Sequence, residues 1–264
     1  MSNTTPAKHH RARRCATAFA VVLAMAISAS NVAQAQETRP MNPTQTSASE
    51  TLSARQQAIV PVAAFAAAGD MAQLNAALNQ GLDAGMTVSD AKEILVQLYA
   101  YAGFPRSLNA LGELMKVLDA RKQRGIQDAP GREPSRAIPK GDALLAAGTA
   151  NQTKLSGGPV EGPLFDFAPT ANEYLRTHLF GDIFERDNLD WQSRELATVG
   201  MLSALPGAES QLQAHMRIGM NTGLTAGQLR QLTQVLSSRV DADMARRADA
   251  ALSRHLATLP AGKQ

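Results

Sequence analysis

The sequence repeats itself at a fixed spacing, and this repeat limits the folds that the chain can adopt. Small, apolar and helix-ending residues recur at positions 138 apart: Ala66/Ala204, Gly69/Gly207, Leu74/Leu212, Ala76/Ala214, Gly85/Gly223, Thr87/Thr225 and Leu98/Leu236. Similarity at one constant offset is typical of a duplicated unit whose copies bury their apolar faces against each other. The chain is therefore predicted to contain two copies of one helical unit, packed as a pseudo-symmetric pair.

Helix signals in both copies indicate an all-α fold. Asp70 is placed to begin a helix that Gly85 ends, and Thr87 with Asp90 three residues later forms a capping pattern. Helices are predicted at about 52–68, 70–84, 87–101, 107–124, 170–184, 191–205, 208–222, 226–238 and 241–257. These elements define a first repeat over 51–125 and a second over 169–258. The proline-rich stretch 126–168 between them is predicted to be a long irregular crossover.

The N-terminal 35 residues have the pattern of a secretory signal peptide. Basic residues precede an apolar run over 16–27, and Ala33-Gln34-Ala35 supplies a small-x-small cleavage site. Cleavage after Ala35 would leave a periplasmic or secreted protein, with no further membrane association expected. The polar residues 36–50 that follow are predicted to form a flexible arm.

Removing this leader changes what the composition excludes. Its four charged residues are all basic, so the Lys+Arg count falls from 26 to 22 against 23 Asp+Glu, and no nucleic-acid partner is expected. Cys15 is the only cysteine, which leaves the mature chain without disulfide, thiol or thiolate chemistry. Three histidines remain, namely His178, His215 and His255, so neither a metal site nor another cofactor is predicted.

Glu195 and His215 are the first candidates for catalytic chemistry. Each lies on a mainly apolar face of its helix, and the two helices are joined by the short Pro206-Gly207 turn. Counted from that turn, their depths differ by roughly 4–5 Å, while packed helices lie about 8–10 Å apart. The two side chains are therefore predicted to meet directly or through one water as a proton-transfer pair. The alternative is a structural arrangement in which Glu195 pairs with Arg194 and His215 satisfies a core hydrogen bond.

A second candidate surrounds the helix break at Gly103-Phe104-Pro105. Tyr99 and Tyr101 precede the break, and Arg106 and Asn109 share one face of the helix that follows. A guanidinium near a helix N-terminus suits an anionic ligand such as a carboxylate. The alternative is a helix corner in which the aromatic rings are core and Arg106 is a surface cation.

Two further histidines have weaker claims. His178 and Asp182 are four residues apart and can interact if a helix runs through Gly181, although a capping or interface role is the alternative. His255 lies among charged residues near the C-terminus and is predicted to be solvated.

The motifs resemble those of the carboxymuconolactone decarboxylase family over residues 50–125 and 165–240. The similar segments are Tyr101-Ala102-Gly103-Phe104-Pro105, Arg194-Glu195-Leu196-Ala197-Thr198, Gly207-Ala208-Glu209, Gln211-Leu212, His215 and Gly223-Leu224-Thr225. The resemblance implies a helical fold and a homo-oligomer, here a trimer or dimer. Alkylhydroperoxidase-D-like relatives use a Cys-x-x-Cys pair, whereas this chain has Gly207-Ala208-Glu209-Ser210 in that region. Thiol peroxidase chemistry is thereby excluded.

The resemblance also implies a function, namely a cofactor-free acid–base enzyme acting on a small carboxylate or lactone. Arg106 would bind a substrate carboxylate while His215, oriented by Glu195, protonates the carbon that loses CO2. The other substrate-binding candidates are Tyr99, Tyr101, Asn109 and Arg194. The alternative is a non-catalytic ligand-binding or assembly protein on the same scaffold.

Overall fold

A computed structural model describes residues 50–260 of the chain. The predicted signal peptide over 1–35 and all but the last residue of the predicted arm over 36–50 lie outside the described residues. Between residues 50 and 260 the structure is helical and contains no β-strand. No helix in this range is long and apolar enough to cross a membrane.

The described chain forms eleven α-helices and one π-helix. They are α1 (Ala54–Ala68), α2 (Met71–Asp83), α3 (Val88–Gln97), α4 (Tyr99–Gln123), α5 (Asp142–Ser156), α6 (Pro163–Phe167), α7 (Pro169–Tyr174), π1 (Leu175–Ile183), α8 (Trp191–Ser203), α9 (Glu209–Asn221), α10 (Ala226–Arg239) and α11 (Ala242–Leu256).

The repeat seen in the sequence is reproduced in these boundaries. Both ends of α2 and α9 lie 138 residues apart, and α3 and α10 begin at equivalent positions. Thr87 and Thr225 each form a capping box with the residue three positions later. Gly69 and Gly207 adopt left-handed φ angles of 80° and 88°, which a residue with a β-carbon rarely adopts. The predicted all-α fold with two similar helical units is confirmed.

Helices α1 and α8 are equivalent in the two repeats and pack on each other at the centre of the molecule. The Arg55 guanidinium donates to the hydroxyl of Ser193 at 3.4 Å, and these two positions are themselves equivalent. Further along, a β-carbon on Gly200 would lie 2.9 Å from the carbonyl oxygen of Val60. Contacts between equivalent positions place the two helices side by side and parallel, around the pseudo-twofold axis of the repeat. Small side chains let the two backbones approach closely enough to form the core.

The crossover contains more regular structure than the sequence indicated. Residues 126–141 form no helix, as predicted, but Pro163–Phe167 form the short helix α6 and Asp142–Ser156 form the fifteen-residue helix α5. Prolines flank this segment without interrupting it, so the irregular prediction for 126–168 is corrected there. Helix α5 packs closely on π1 because Gly148 has no side chain: a β-carbon there would lie 1.8 Å from the carbonyl oxygen of Arg176. The crossover thus covers part of the second repeat.

Candidate functional site

The carboxylate of Glu195 and the imidazole of His215 are directly hydrogen-bonded. His215 Nδ1 lies 2.7 Å from Glu195 Oε2. Glu195 is completely buried in α8, and His215 on α9 is 7 % exposed. The helices come close at this level because Gly219, one turn after His215, would place a β-carbon only 3.9 Å from Cβ of Glu195. The structure therefore joins the two residues that the spacing predicted to meet.

Each partner in this pair keeps one polar atom free for chemistry. Glu195 Oε1 is buried and has no hydrogen-bond partner among the described residues. Nδ1 of His215 donates to Glu195. The other ring nitrogen, Nε2, forms no hydrogen bond within residues 50–260, so it can exchange a proton with a ligand. A carboxylate that fixes the tautomer of an imidazole in this way is the usual arrangement of a general acid or base.

Tyr101 comes to this pair from the other repeat. Its ring meets the ring of His215 edge-on, with 5.7 Å between the ring centroids. Its hydroxyl oxygen lies 3.3 Å from that of Thr198, one turn after Arg194 on α8. Burial, and next the charge of Glu195, raise the pKa of the Tyr101 phenol well above its ordinary value. Tyr101 is therefore a neutral phenol beside the imidazole.

A buried network of ion pairs and hydrogen bonds connects α3 and α8 next to the site. Arg194 is fully enclosed and donates to Glu93 at 2.9 Å, to the Gln97 side chain at 3.2 Å and to the Arg186 backbone carbonyl at 2.8 Å. Gln97 in turn donates to the hydroxyl of Thr198 at 2.7 Å, which links the network to Tyr101. The terminal nitrogens of Arg194 are thus occupied by protein groups, whereas Nε is buried with no hydrogen-bond partner among residues 50–260. These contacts give Arg194 a structural role, and its binding of substrate stays a prediction.

Opposing effects act on the charged groups of this network. Burial alone would raise the pKa of Glu93, but hydrogen bonds from Arg186, Asn188 and Arg194 together lower the pKa below its usual value. Burial lowers the pKa of Arg194, partly offset by its hydrogen bond to Glu93. Sequence reasoning did not find Glu93 or Gln97, because nothing local shows that α3 faces α8.

The remaining predicted substrate residues are spread over other surfaces. Gly103, with φ 81° and ψ 160°, interrupts α4 as predicted and separates Tyr101 from Arg106. The Arg106 Nε atom lies 4.0 Å from where a β-carbon on Gly69 would be, at the C-terminal end of α1. Asn109 is exposed on α4. Within residues 50–260 neither Arg106 nor Asn109 forms a hydrogen bond or ion pair with Glu195 or His215, so the carboxylate clamp stays a prediction.

Tyr99 belongs to an exposed aromatic cluster next to π1. Its ring stacks on Phe104 with 4.4 Å between centroids and meets His178 edge-on at 5.6 Å. His178 Nδ1 lies 2.8 Å from Asp182 Oδ2, so the interaction expected from their four-residue spacing is formed. Both side chains are substantially exposed, unlike those of the Glu195–His215 pair.

His255 departs from its predicted solvent exposure. It is 6 % exposed on the inner face of α11, and burial followed by the charge of Arg217 lowers its pKa. Within the described range no cluster of three or more His, Cys, Asp or Glu side chains is arranged to hold a metal ion.

The equivalent positions in the first repeat lack the carboxylate, the imidazole and the phenol. Gln57 and Ala77 occupy the positions equivalent to Glu195 and His215. The position equivalent to Tyr101 is Arg239, whose guanidinium donates to the Gln57 side chain at 3.3 Å. The first repeat therefore also has a side-chain contact from the opposite repeat at this place, but the residues there supply no acid, imidazole or phenol.

The fold and the site together define a class, a duplicated all-helical protein in which a buried carboxylate–imidazole pair is contacted by a phenol from the opposite repeat. Comparison with known families identifies that class. The sequence pattern of the carboxymuconolactone decarboxylase family matches residues 43–115 and 169–254, so the chain belongs to that family. The two matched segments correspond to the two repeats.

One curated relative is similar at lower coverage. The chain is 32 % identical over 69 residues to the 4-carboxymuconolactone decarboxylase of Acinetobacter baylyi. The match covers 26 % of this chain and 51 % of the relative, so the chain spans about half the length of the curated protein that it matches.

Proposed function

We propose that the protein is a cofactor-free acid–base enzyme that decarboxylates a small carboxylated or lactone substrate. The observation that carries the proposal is the buried 2.7 Å contact between Glu195 and His215, with Nε2 of the imidazole left without a protein partner in the described chain. Membership of the family and the name of the relative from Acinetobacter baylyi favour a carboxy-lyase reaction. The absence of a thiol near Gly207 separates this chemistry from peroxide reduction.

The proposed reaction has two steps. First the carbon–carboxylate bond breaks, CO2 leaves, and the bonding electrons remain on the substrate as a carbanion or enolate. The protonated His215 then donates its Nε2 proton to that carbon, and a solvent proton later restores the imidazolium. Glu195 accepts from Nδ1 throughout and so holds the imidazole in one orientation, with Nε2 as the atom that exchanges the proton. The neutral Tyr101 phenol packs on the same ring and holds its orientation.

A matched pair of histidine substitutions tests this role. Full-length protein would be incubated with 4-carboxymuconolactone and with simple β-keto acids, and CO2 release would be measured. His215→Asn is expected to lower kcat by about 10²- to 10⁴-fold, the usual contribution of a general acid. His178→Asn removes an exposed imidazole that also pairs with a carboxylate and should leave kcat unchanged.

Two results would decide against the proposal. Equal activity in His215→Asn and wild type would remove His215 from the reaction. Saturable binding of these compounds by wild type with no CO2 release from any of them would favour the non-catalytic binding protein instead.

We also propose that the protein is exported and self-associates, from the N-terminal sequence and the family resemblance. Cell fractionation and light scattering of the purified protein test these two points. A cytoplasmic protein with an uncleaved N-terminus, or a monomer at micromolar concentration, would contradict them.

A further inference from the structure

A cavity of about 350 Å³ lies where the crossover meets the second repeat. The C-terminal end of α5, the N-terminal end of α8 and the C-terminal end of α9 surround it. The side chain of Asn221 donates to the backbone carbonyl of Leu155 at 2.8 Å, which fixes α9 to α5 at the cavity edge. No residue predicted from the sequence to bind substrate lines this space.

Lys154 and Trp191 give the cavity a cationic and an aromatic side. The Lys154 ammonium nitrogen lies 5.0 Å from the centroid of the Trp191 ring. Lys154 is exposed and makes no ion pair within the part of the chain described. Lys154 is therefore a positively charged side chain on the cavity wall, and no carboxylate of the described chain forms an ion pair with it.

The one carboxylate on the cavity wall is committed elsewhere. Asp190 caps α8, accepting from the Ser193 backbone N–H at 2.8 Å and from its hydroxyl at 2.9 Å. The remaining polar lining comes from Gln192 and Thr222, which are uncharged. The negative charge of Asp190 also acts on Arg55 and Arg194, and Asp190 forms no ion pair with Lys154 in the described chain, so the Lys154 ammonium can pair with an incoming anion.

The cavity is next to the acid–base pair. Trp191 and Glu195 are four residues apart on α8, so they occupy neighbouring turns about 6 Å apart along the axis. Trp191 also packs with Phe184 at 6.3 Å between ring centroids. Both rings belong to a small apolar cluster against which Tyr101 packs from the other repeat. Trp191 thus lines the cavity and packs on the same apolar cluster as Tyr101, which contacts His215.

We propose that this cavity recognises the carboxylate substrate, and this inference rests on the proposed function. Lys154 pairs with a carboxylate of the ligand, and the face of Trp191 packs on its apolar part. The ligand class is a small organic acid with an apolar body. Lys154, supplied by the crossover, thereby takes the role that the sequence suggested for Arg106. It is a positioning residue that holds the substrate at the N-terminal end of α8, the helix that also carries Glu195.

Trp191 makes this proposal directly measurable, because it is the only tryptophan in the chain. Full-length protein would be titrated with adipate while the tryptophan emission is followed. We expect a saturable change in emission in wild type, and at least about tenfold weaker binding in Lys154→Met, the loss typical of one charge-assisted hydrogen bond. Lys122→Met, an exposed lysine on α4, is the matched control and should bind adipate normally.

Two further probes identify what the cavity recognises. Neutral γ-butyrolactone should bind much more weakly than adipate if the carboxylate is the recognised group. Sodium sulfate should not reproduce the adipate response, since it lacks an apolar body. An equal response to sulfate, or an adipate response that survives Lys154→Met, would overturn the proposal.

The same variants separate this inference from the catalytic one. His215→Asn should retain the adipate response while losing turnover, and Lys154→Met should raise KM with little change in kcat. Adipate binding that depends on Lys154 without any turnover would leave the cavity assignment standing and remove the catalytic one. Turnover that depends on His215, with KM unaffected by Lys154→Met, would do the reverse.

Discussion

Replacing His215 tests whether the buried hydrogen bond between Glu195 and His215 stabilises the centre of this molecule. Within residues 50–260 the carboxylate of Glu195 has one hydrogen-bond partner, His215, because its second oxygen has none. His215→Leu keeps the packing against Tyr101 but leaves Glu195 with no partner at all. Removing one member of a buried pair costs about 3–5 kcal/mol, because the remaining charge is uncompensated. For a chain of this size the melting temperature should fall on the order of 10 °C.

The double variant gives the decisive comparison. Glu195→Met alone leaves the Nδ1–H of His215 without its acceptor and should cost about 1–3 kcal/mol. Combining it with His215→Leu replaces both polar groups by apolar ones, so the double variant should be within about 1 kcal/mol of wild type. Urea unfolding followed by circular dichroism measures all four proteins, with His178→Leu as the exposed control expected to lose at most about 1 kcal/mol. Additive effects of the two single substitutions would refute a coupled buried pair.

Three further predictions concern the scaffold. Arg194→Met removes a buried, paired guanidinium and should cost about 3–5 kcal/mol in urea unfolding, whereas Arg246→Met in an exposed pair should cost at most about 1 kcal/mol; equal losses would contradict the burial argument. The pKa of Glu93 is depressed in the folded state, so its contribution is present above pH about 4.3 and is lost on acidification. Wild type should therefore lose more stability than Glu93→Gln between pH 5 and pH 3, and identical acid profiles would refute this. Gly200→Val should overpack the contact between α1 and α8 and cost about 1–3 kcal/mol, while Gly112→Val, which has free space, should change stability by no more than about 0.5 kcal/mol; equal melting temperatures would contradict the close packing.

Local features of the sequence were enough to predict the repeat and the central pair. Glu195 and His215 lie on consecutive helices joined by a short turn, so their separation depends on few conformational variables. The break at Gly103 and the caps at Thr87 and Thr225 were predictable for the same reason, since each depends on a few adjacent residues.

The errors arose where distant segments meet. Arginine is a residue type that often binds anionic ligands. Only the contact between α3 and α8 shows that the guanidinium of Arg194 pairs with Glu93. Arg106 could not be placed from sequence, because the direction of α4 after Gly103 is set by the first repeat as a whole. Helix α5 was not predicted because the prolines on either side of it indicated an irregular crossover.

The first repeat has Gln57 and Ala77 at the positions of Glu195 and His215, so the described chain carries one copy of the proposed centre. A symmetric dimer of identical single units would offer two equal centres, whereas this chain has one, assembled from unlike contributions of its halves. Neither half expressed alone would contain both the imidazole and Tyr101. A complete centre therefore requires both repeats, and the crossover that carries Lys154, in the same assembly.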